Sequence, residues 1–68
     1  MLKDMKTYLV KNMADNNQPQ QQQAHSKRQA AKLFVGRHSD PNWTIGVWTE
    51  KEWKNREAAT EYRDYELH

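Results

Sequence analysis

The side chains that most often carry catalysis or metal binding are few and scattered in this chain. The histidines, His25, His38 and His68, show neither of the spacings, H-x-x-x-H or H-E-x-x-H, that bring two imidazoles to one helix face. Cysteine is absent, which excludes thiol nucleophiles and Cys-based zinc sites. Ser26 and Ser39 fall at a predicted helix cap and in a predicted turn. We therefore expect no catalytic residue, no metal site and no cofactor, and we predict a protein that is not an enzyme.

Aromatic side chains are the first candidates for binding. Trp43, Trp48 and Trp53 recur every five residues, and on a strand this odd spacing turns Trp43 and Trp48 to opposite faces. Trp43 is expected in the core. Trp48 either packs beside Trp53 under the following helix or stays exposed as an interface anchor. Tyr62 and Tyr65 have the same two alternatives, packing or contact with a partner.

Basic side chains are the second candidates. Residues 24–39 contain four Lys or Arg residues and no acid, whereas residues 50–68 carry a net negative charge. A basic stretch favours an anionic partner, and the alternative is an ordinary solvated helix face. The candidate partner-binding residues are Lys27, Arg28, Lys32, Arg37, Trp48, Tyr62 and Tyr65.

One helix is predicted clearly, over residues 27–35. Ser26 with Gln29 fits a capping box, in which Ser26 is the N-cap and Gln29 reaches back to its backbone N–H. Gly36 is the expected C-cap. The apolar stripe that should face the core consists of Ala30, Leu33 and Phe34.

Strands are predicted on both sides of this helix. Residues 6–13 favour a strand, with a helix over 2–13 as the competing interpretation. The polar stretch near 18–25 is either a flexible loop or an edge strand. Residues 43–49 alternate well, which places Ile45 and Val47 in the core with Trp43.

The last segment predicts a C-terminal helix over 50–66. Thr49 and Glu52 form a second capping box, and Glu50–Lys54 and Glu52–Arg56 are favourable i,i+4 pairs. Its apolar stripe is thin and consists of Trp53, Ala58, Tyr62 and Tyr65.

These elements predict an α+β fold in one small domain over residues 1–68: a small antiparallel sheet with the 27–35 helix packed on it and a helix at the C-terminus. Residues 14–23 are its Asn/Gln-rich loop or edge strand. The mass of 8.2 kDa allows one domain at most. No apolar run is long enough for a signal peptide or a membrane span, so we expect a cytoplasmic protein that does not bind membranes.

The order of elements resembles small phage-encoded β-β-α-β proteins, such as the short bacteriophage inhibitor of bacterial RNA polymerase and some small anti-CRISPR proteins. The resemblance lies in Thr7-Tyr8-Leu9-Val10, in the helix from Lys27 to Phe34 and in the strand from Trp43 to Trp48, and it covers about residues 6–49. The Gln-rich second strand and the helix from Glu50 depart from the pattern. The resemblance implies a small non-enzymatic protein that binds a host machine and alters its activity, in the cytoplasm of the host cell.

Three functions follow from these observations. The first is a protein-binding module that modulates or inhibits a larger bacterial complex, because catalytic groups are absent and aromatic residues are plentiful. The second is a nucleic-acid-binding protein that uses the basic helix within 27–37. The third is a structural or self-assembling protein, such as a homodimer joined along a sheet edge near residues 20–23.

Overall fold

The computed structural model describes residues 5–14, 18–37 and 44–67. They form a four-stranded antiparallel sheet in the order β2-β1-β3-β4, with one longer helix and two short helical segments. This α+β architecture confirms the predicted fold class. The elements are β1 (Lys6–Asn12), β2 (Gln20–Ala24), α1 (Lys27–Arg37), β3 (Thr44–Thr49), α2 (Glu50–Lys54), β4 (Thr60–Arg63) and a C-terminal 3-10 turn (Asp64–Leu67).

The two faces of the sheet follow from strand alternation. In β1, Tyr8 and Val10 point to one face, and Val10 lies opposite Val47 of β3. Leu9 points to the other face, where it lies opposite Trp48. The sheet therefore has an α1 face, which carries Tyr8, Val10 and Val47, and a Trp48 face, which carries Leu9 and Trp48.

The hydrophobic core lies between α1 and the α1 face of the sheet. Ile45 and Val47 are fully buried, as predicted, and Trp43 lies outside the described residues. Burial of this apolar surface is the main source of stability in so short a chain. The buried cluster comprises Tyr8, Val10, Ala24, Ala30, Ala31, Phe34, Val35, Ile45, Val47 and Leu67.

Helix α1 is longer than predicted and turns a different stripe to the core. Ser26 is its N-cap, since the Ser26 hydroxyl accepts from the Gln29 N–H at 3.1 Å. The Gln29 side chain accepts from the His25 N–H instead of the Ser26 N–H. Gly36 lies inside the helix with a negative φ, so its predicted role as a C-cap is wrong.

The apolar stripe of α1 is also shifted from the prediction. Leu33 is 41% exposed, whereas Ala31 and Val35 are buried beside Ala30 and Phe34. The buried positions therefore run as two adjacent pairs, one turn apart. This broader face lets small alanines bring the helix close to the sheet, while Leu33 lies at its margin.

The hairpin before α1 settles two alternatives that the sequence left open. Residues 6–12 form a strand and not a helix, and residues 20–24 form an edge strand that pairs with it from Lys6–Ala24 to Val10–Gln20. The burial of Tyr8 and Val10 explains the strand, because alternate residues reach the core. Residues 15–17 of the predicted polar stretch lie outside the described residues.

The C-terminal helix predicted over 50–66 is wrong beyond Lys54. Helix α2 ends there, Arg56 adopts a left-handed φ of 57°, and Thr60–Arg63 pairs with β3 as β4. This pairing covers the edge that β3 would otherwise expose. In β4, Tyr62 lies opposite Ile45 and packs against the core.

Candidate binding surface around Trp53

Trp48 anchors the Trp48 face of the sheet. It is 6% exposed, and its indole Nε1–H donates to the Glu57 carbonyl oxygen at 3.0 Å. A buried indole N–H needs such a partner, because an unpaired donor would cost free energy. Of the two alternatives that the sequence left open for Trp48, the structure shows packing and not an exposed anchor.

Trp53 stands beside Trp48 and is the exposed member of the pair. The ring centroids lie 5.0 Å apart at an interplanar angle of 71°, which is an edge-to-face contact. Trp53 remains 42% exposed. The Trp53 ring is thus held by Trp48 on one side, while much of the rest is open to a partner.

The capping box of α2 sets the position of Trp53. Helix α2 has only five residues, too few to be stable without tertiary support. The Thr49 hydroxyl accepts from the Glu52 N–H at 3.0 Å, and a Glu52 carboxylate oxygen accepts from the Thr49 N–H at 2.9 Å. The predicted box is confirmed, and it joins α2 to the end of β3.

A cross-link from α1 adds to this support. The Lys27 ammonium lies 2.9 Å from the Glu52 carboxylate and donates to the Thr60 hydroxyl at 2.9 Å. The predicted Glu52–Arg56 pair is therefore replaced by a pair with α1. The Thr49 backbone N–H, with the Lys27 hydrogen bond next in size, lowers the pKa of Glu52 below its ordinary value.

The turn after α2 completes the pocket of Trp48. The Glu57 N–H donates to the Glu52 carbonyl oxygen at 2.9 Å, and the Arg56 N–H donates to the Trp53 carbonyl oxygen at 3.1 Å. This turn brings the Glu57 carbonyl oxygen to the Trp48 indole. The backbone conformation at Arg56 is thereby coupled to the burial of Trp48.

Two open grooves flank Trp53, with volumes of about 590 and 620 Å³. Lys54 and Trp53 line both, so the indole forms the ridge between them. We call this region the Trp53 surface. The first groove is lined by Gln18, Trp48, Trp53, Lys54, Arg56 and Glu57, and the second by Leu9, Gln21, Glu50, Lys51, Trp53 and Lys54.

The charge of the Trp53 surface is mixed with a basic excess. Lys51, Lys54 and Arg56 are exposed cations, and Glu50 and Glu57 are the acids. Such a surface presents an aromatic ridge within a rim of mixed charge, in which cations outnumber acids by one. This arrangement suits an acidic partner segment that also carries an apolar side chain.

Three of the predicted basic residues, Lys27, Arg28 and Lys32, differ in their surroundings. Lys27 is half-buried and paired with Glu52. Arg28 is exposed, and its guanidinium donates to the Glu66 carbonyl oxygen at 3.0 Å. Lys32 is exposed, and Arg37 is the last residue of α1.

The two predicted tyrosines have different environments. Tyr62 is half-buried against the core, and Tyr65 is 66% exposed in the C-terminal 3-10 turn. Neither lines a groove beside Trp53. Of the seven residues named from the sequence, only Trp48 belongs to the Trp53 surface, and it is the buried support.

Sequence reasoning missed the exposed residues of this surface. Lys51, Lys54 and Arg56 lie within a segment of net negative charge, which hid their clustering around Trp53. The signal that could have found them is local: three cations stand within three residues of an aromatic side chain. Leu9 had no signal, because its neighbourhood depends on the register between β1 and β3.

Within the described residues, no group of three or more His, Asp or Glu side chains could hold a metal ion. In the same ranges, every helix is too short or too polar to cross a membrane. Comparison with protein-family models, with curated proteins and with solved structures finds no match to this chain.

Proposed function

We propose that this chain is a non-enzymatic protein-binding module that uses the Trp53 surface to bind and modulate a larger bacterial complex. One observation carries the proposal: Trp53 is 42% exposed although its ring and its helix are held in place. Tryptophan is enriched among the residues that dominate binding energy at interfaces.

Pre-ordering explains why Trp53 is a better anchor than Tyr65, the other aromatic residue that is exposed in the described part of the chain. Trp53 contacts Trp48, and the capping box of Thr49 and Glu52 fixes its helix. Binding then costs less side-chain entropy than it would for a freely rotating side chain. Tyr65, at 66% exposure, offers more area and less support.

Charge supports a partner with an acidic face. Lys51, Lys54 and Arg56 surround the Trp53 ridge and outnumber the acids of the two grooves. Complementary charge raises the rate of encounter, while the buried aromatic contact slows dissociation. Modulation of a bacterial complex is the part of the proposal that rests on the resemblance to small phage-encoded proteins.

A second candidate function is binding of single-stranded nucleic acid. An exposed indole flanked by Lys54 and Arg56 suits a base stacked on the ring with its phosphates near the cations. The acids Glu50 and Glu57 in the same grooves oppose phosphate, which is why we place this function second.

The test is affinity capture from bacterial lysate with the tagged chain and three variants. Trp53→Ala removes the anchor, Tyr65→Ala is the matched control, and Arg28→Glu with Lys32→Glu reverses the exposed charge on α1. Each sample is run with and without nuclease. We expect stoichiometric capture of one protein complex, lost with Trp53→Ala, retained with Tyr65→Ala and unchanged by nuclease.

Other outcomes separate the alternatives. Capture that disappears with nuclease, and oligonucleotide binding that weakens steeply with salt, would favour the nucleic-acid function. Capture that survives Trp53→Ala but is lost with the α1 variant would contradict the Trp53 surface and move the interface to the basic helix.

A further inference from the structure

The outer edge of β2 presents backbone groups at defined positions. The Met13 N–H donates to the Thr44 carbonyl oxygen at 2.9 Å, so the backbone N–H and C=O groups of odd-numbered residues at this end of β1 point toward β3. The backbone N–H and C=O groups of successive residues in a strand point to opposite sides, so those of the even-numbered residues in β1 point toward β2. The backbone groups of Tyr8 therefore form hydrogen bonds with those of Gln22. The backbone groups of Gln21 and Gln23 point away from the sheet.

The next outward N–H positions on either side offer no donor to a partner strand. The His25 N–H donates to the Gln29 side chain, and Pro19 has no N–H. The Gln22 side-chain amide donates to the Gln23 carbonyl oxygen at 3.0 Å, as a local substitute for a neighbouring strand. The outward groups that remain for a partner strand are thus the N–H groups of Gln21 and Gln23 and the Gln21 carbonyl oxygen, centred on Gln22, and a partner strand would displace the Gln22 amide from the Gln23 carbonyl oxygen.

The two edges of the sheet differ in their protection. The outer strand β4 has four residues, of which Glu61 and Arg63 are exposed charges, a common way to discourage edge pairing. The strand β2 carries four consecutive uncharged glutamines, and Gln20, Gln21 and Gln23 are exposed. Within the described part of the chain, β2 is the open edge.

We propose that β2 pairs with β2 of a second copy of this chain, in antiparallel register about Gln22. This inference is independent of the proposed function. In this register Gln21 of each copy lies opposite the partner's Gln23. Each of these two pairs exchanges two backbone N–H···O=C bonds, so four hydrogen bonds join the two strands.

Self-complementarity favours a second copy over a foreign strand. The two Gln22 side chains would face each other across the axis, and each amide supplies one donor group and one acceptor. Like charges placed opposite each other would oppose self-pairing, and Gln20–Gln23 carries no charge. Five residues per strand bury little area, so the dimer is weak and depends on concentration.

Sedimentation equilibrium of the full chain over a range of concentrations tests the dimer. The expected mass rises from 8.2 kDa toward twice that value. Gln23→Pro removes an outward N–H and spares the β1–β2 ladder, and it should weaken association about tenfold, because two hydrogen bonds of the dimer are lost. Hydrogen exchange should show the Gln21 and Gln23 amides becoming protected as concentration rises.

Complementary charges test the register. Gln22→Lys and Gln22→Glu should each weaken self-association several-fold, and mixing the two variants should restore it. Glu61→Gln, which changes the net charge by the same amount as Gln22→Lys, is the control at the opposite edge. A mass of 8.2 kDa at every concentration overturns the proposal. If the Gln22 variants do not change self-association, or if mixing them does not restore it, the proposed pairing through β2 in this register is wrong.

Discussion

Trp48 and Trp53 meet edge to face at a centroid distance of 5.0 Å, yet Trp48 is 6% exposed and Trp53 is 42% exposed. One ring supports and the other is available for contact. Substitutions at the two positions should therefore separate stability from binding.

Trp48→Ala should lower the free energy of unfolding by about 3–5 kcal/mol, because a buried aromatic side chain is removed. Trp53→Ala should cost about 1 kcal/mol, which is the scale of an aromatic pair contact. Urea unfolding followed by circular dichroism measures both. If Trp48→Ala does not fold, Trp48→Phe is compared with Trp53→Phe, and the loss should be larger at Trp48, where a bond to Glu57 worth about 1 kcal/mol is also removed. Equal losses at the two positions would contradict this division of roles.

Thr49→Ala should lower stability by about 0.5–2 kcal/mol, because the N-cap of α2 is lost. It should also weaken partner binding, since α2 carries Trp53. Thermal unfolding and binding are measured on the same sample. Thr49→Ser is the matched control, because it keeps the hydroxyl that accepts from Glu52. A loss of stability with unchanged binding would show that the cap does not order Trp53.

Glu52 should make stability depend on pH in the acid range. Its folded pKa lies below the ordinary 4.5, so the folded chain binds fewer protons than the unfolded chain between these two values. The stabilisation is present above about pH 4.5 and is lost as the pH falls through the folded pKa. Glu52→Gln should be less stable than the parent at pH 7.

Urea unfolding at stepped pH values measures this difference, which should narrow toward pH 3 if Glu52 is its source. Lys27→Met closes a double-mutant cycle on the ion pair, and added salt should reduce the coupling. A difference that stays constant with pH would assign the loss to packing and not to charge.

Gly36→Ala should stabilise the protein by about 0.5–1 kcal/mol and raise Tm, because Gly36 lies in α1 with a negative φ and an added Cβ meets nothing within 4 Å. Differential scanning calorimetry provides the measurement. A fall in Tm would indicate the left-handed C-cap that the sequence suggested.

The features that the sequence predicted well are those with local causes. Ser26 and Thr49 are caps because a hydroxyl reaches backbone N–H groups within one turn. Ile45 and Val47 are buried because alternation within one strand sets their face. Neither result needs knowledge of distant residues.

The segment after Lys54 could not be predicted in the same way. Its local signals, the capping box and the charge pairs, favour a helix, and they hold for α2 alone. Residues 60–63 form a strand because β3 has an edge that they can pair with. The helix ends before a left-handed residue, a position where glycine is usual, but here the residue is Arg56, so the sequence carries no sign of the end.

The Trp53 surface was even harder to predict from the sequence, because tertiary structure brings its residues together. Leu9 and Gln21 enter the second groove through the pairing of β1 with β2 and β3. Lys27 looked like a free cation but binds Glu52, 25 residues away in the chain. Pairing over such distances is decided by the fold and not by spacing.

The position of β1 between β2 and β3 also determines how the chain folds. The β1–β2 hairpin closes a short connection and can form early, but a two-stranded hairpin is only marginally stable in water. β3 reaches β1 only after α1 has been traversed, and this longer closure costs more chain entropy. We therefore expect the docking of β3 onto β1 to limit the folding rate, with the last strand adding after the barrier has been crossed.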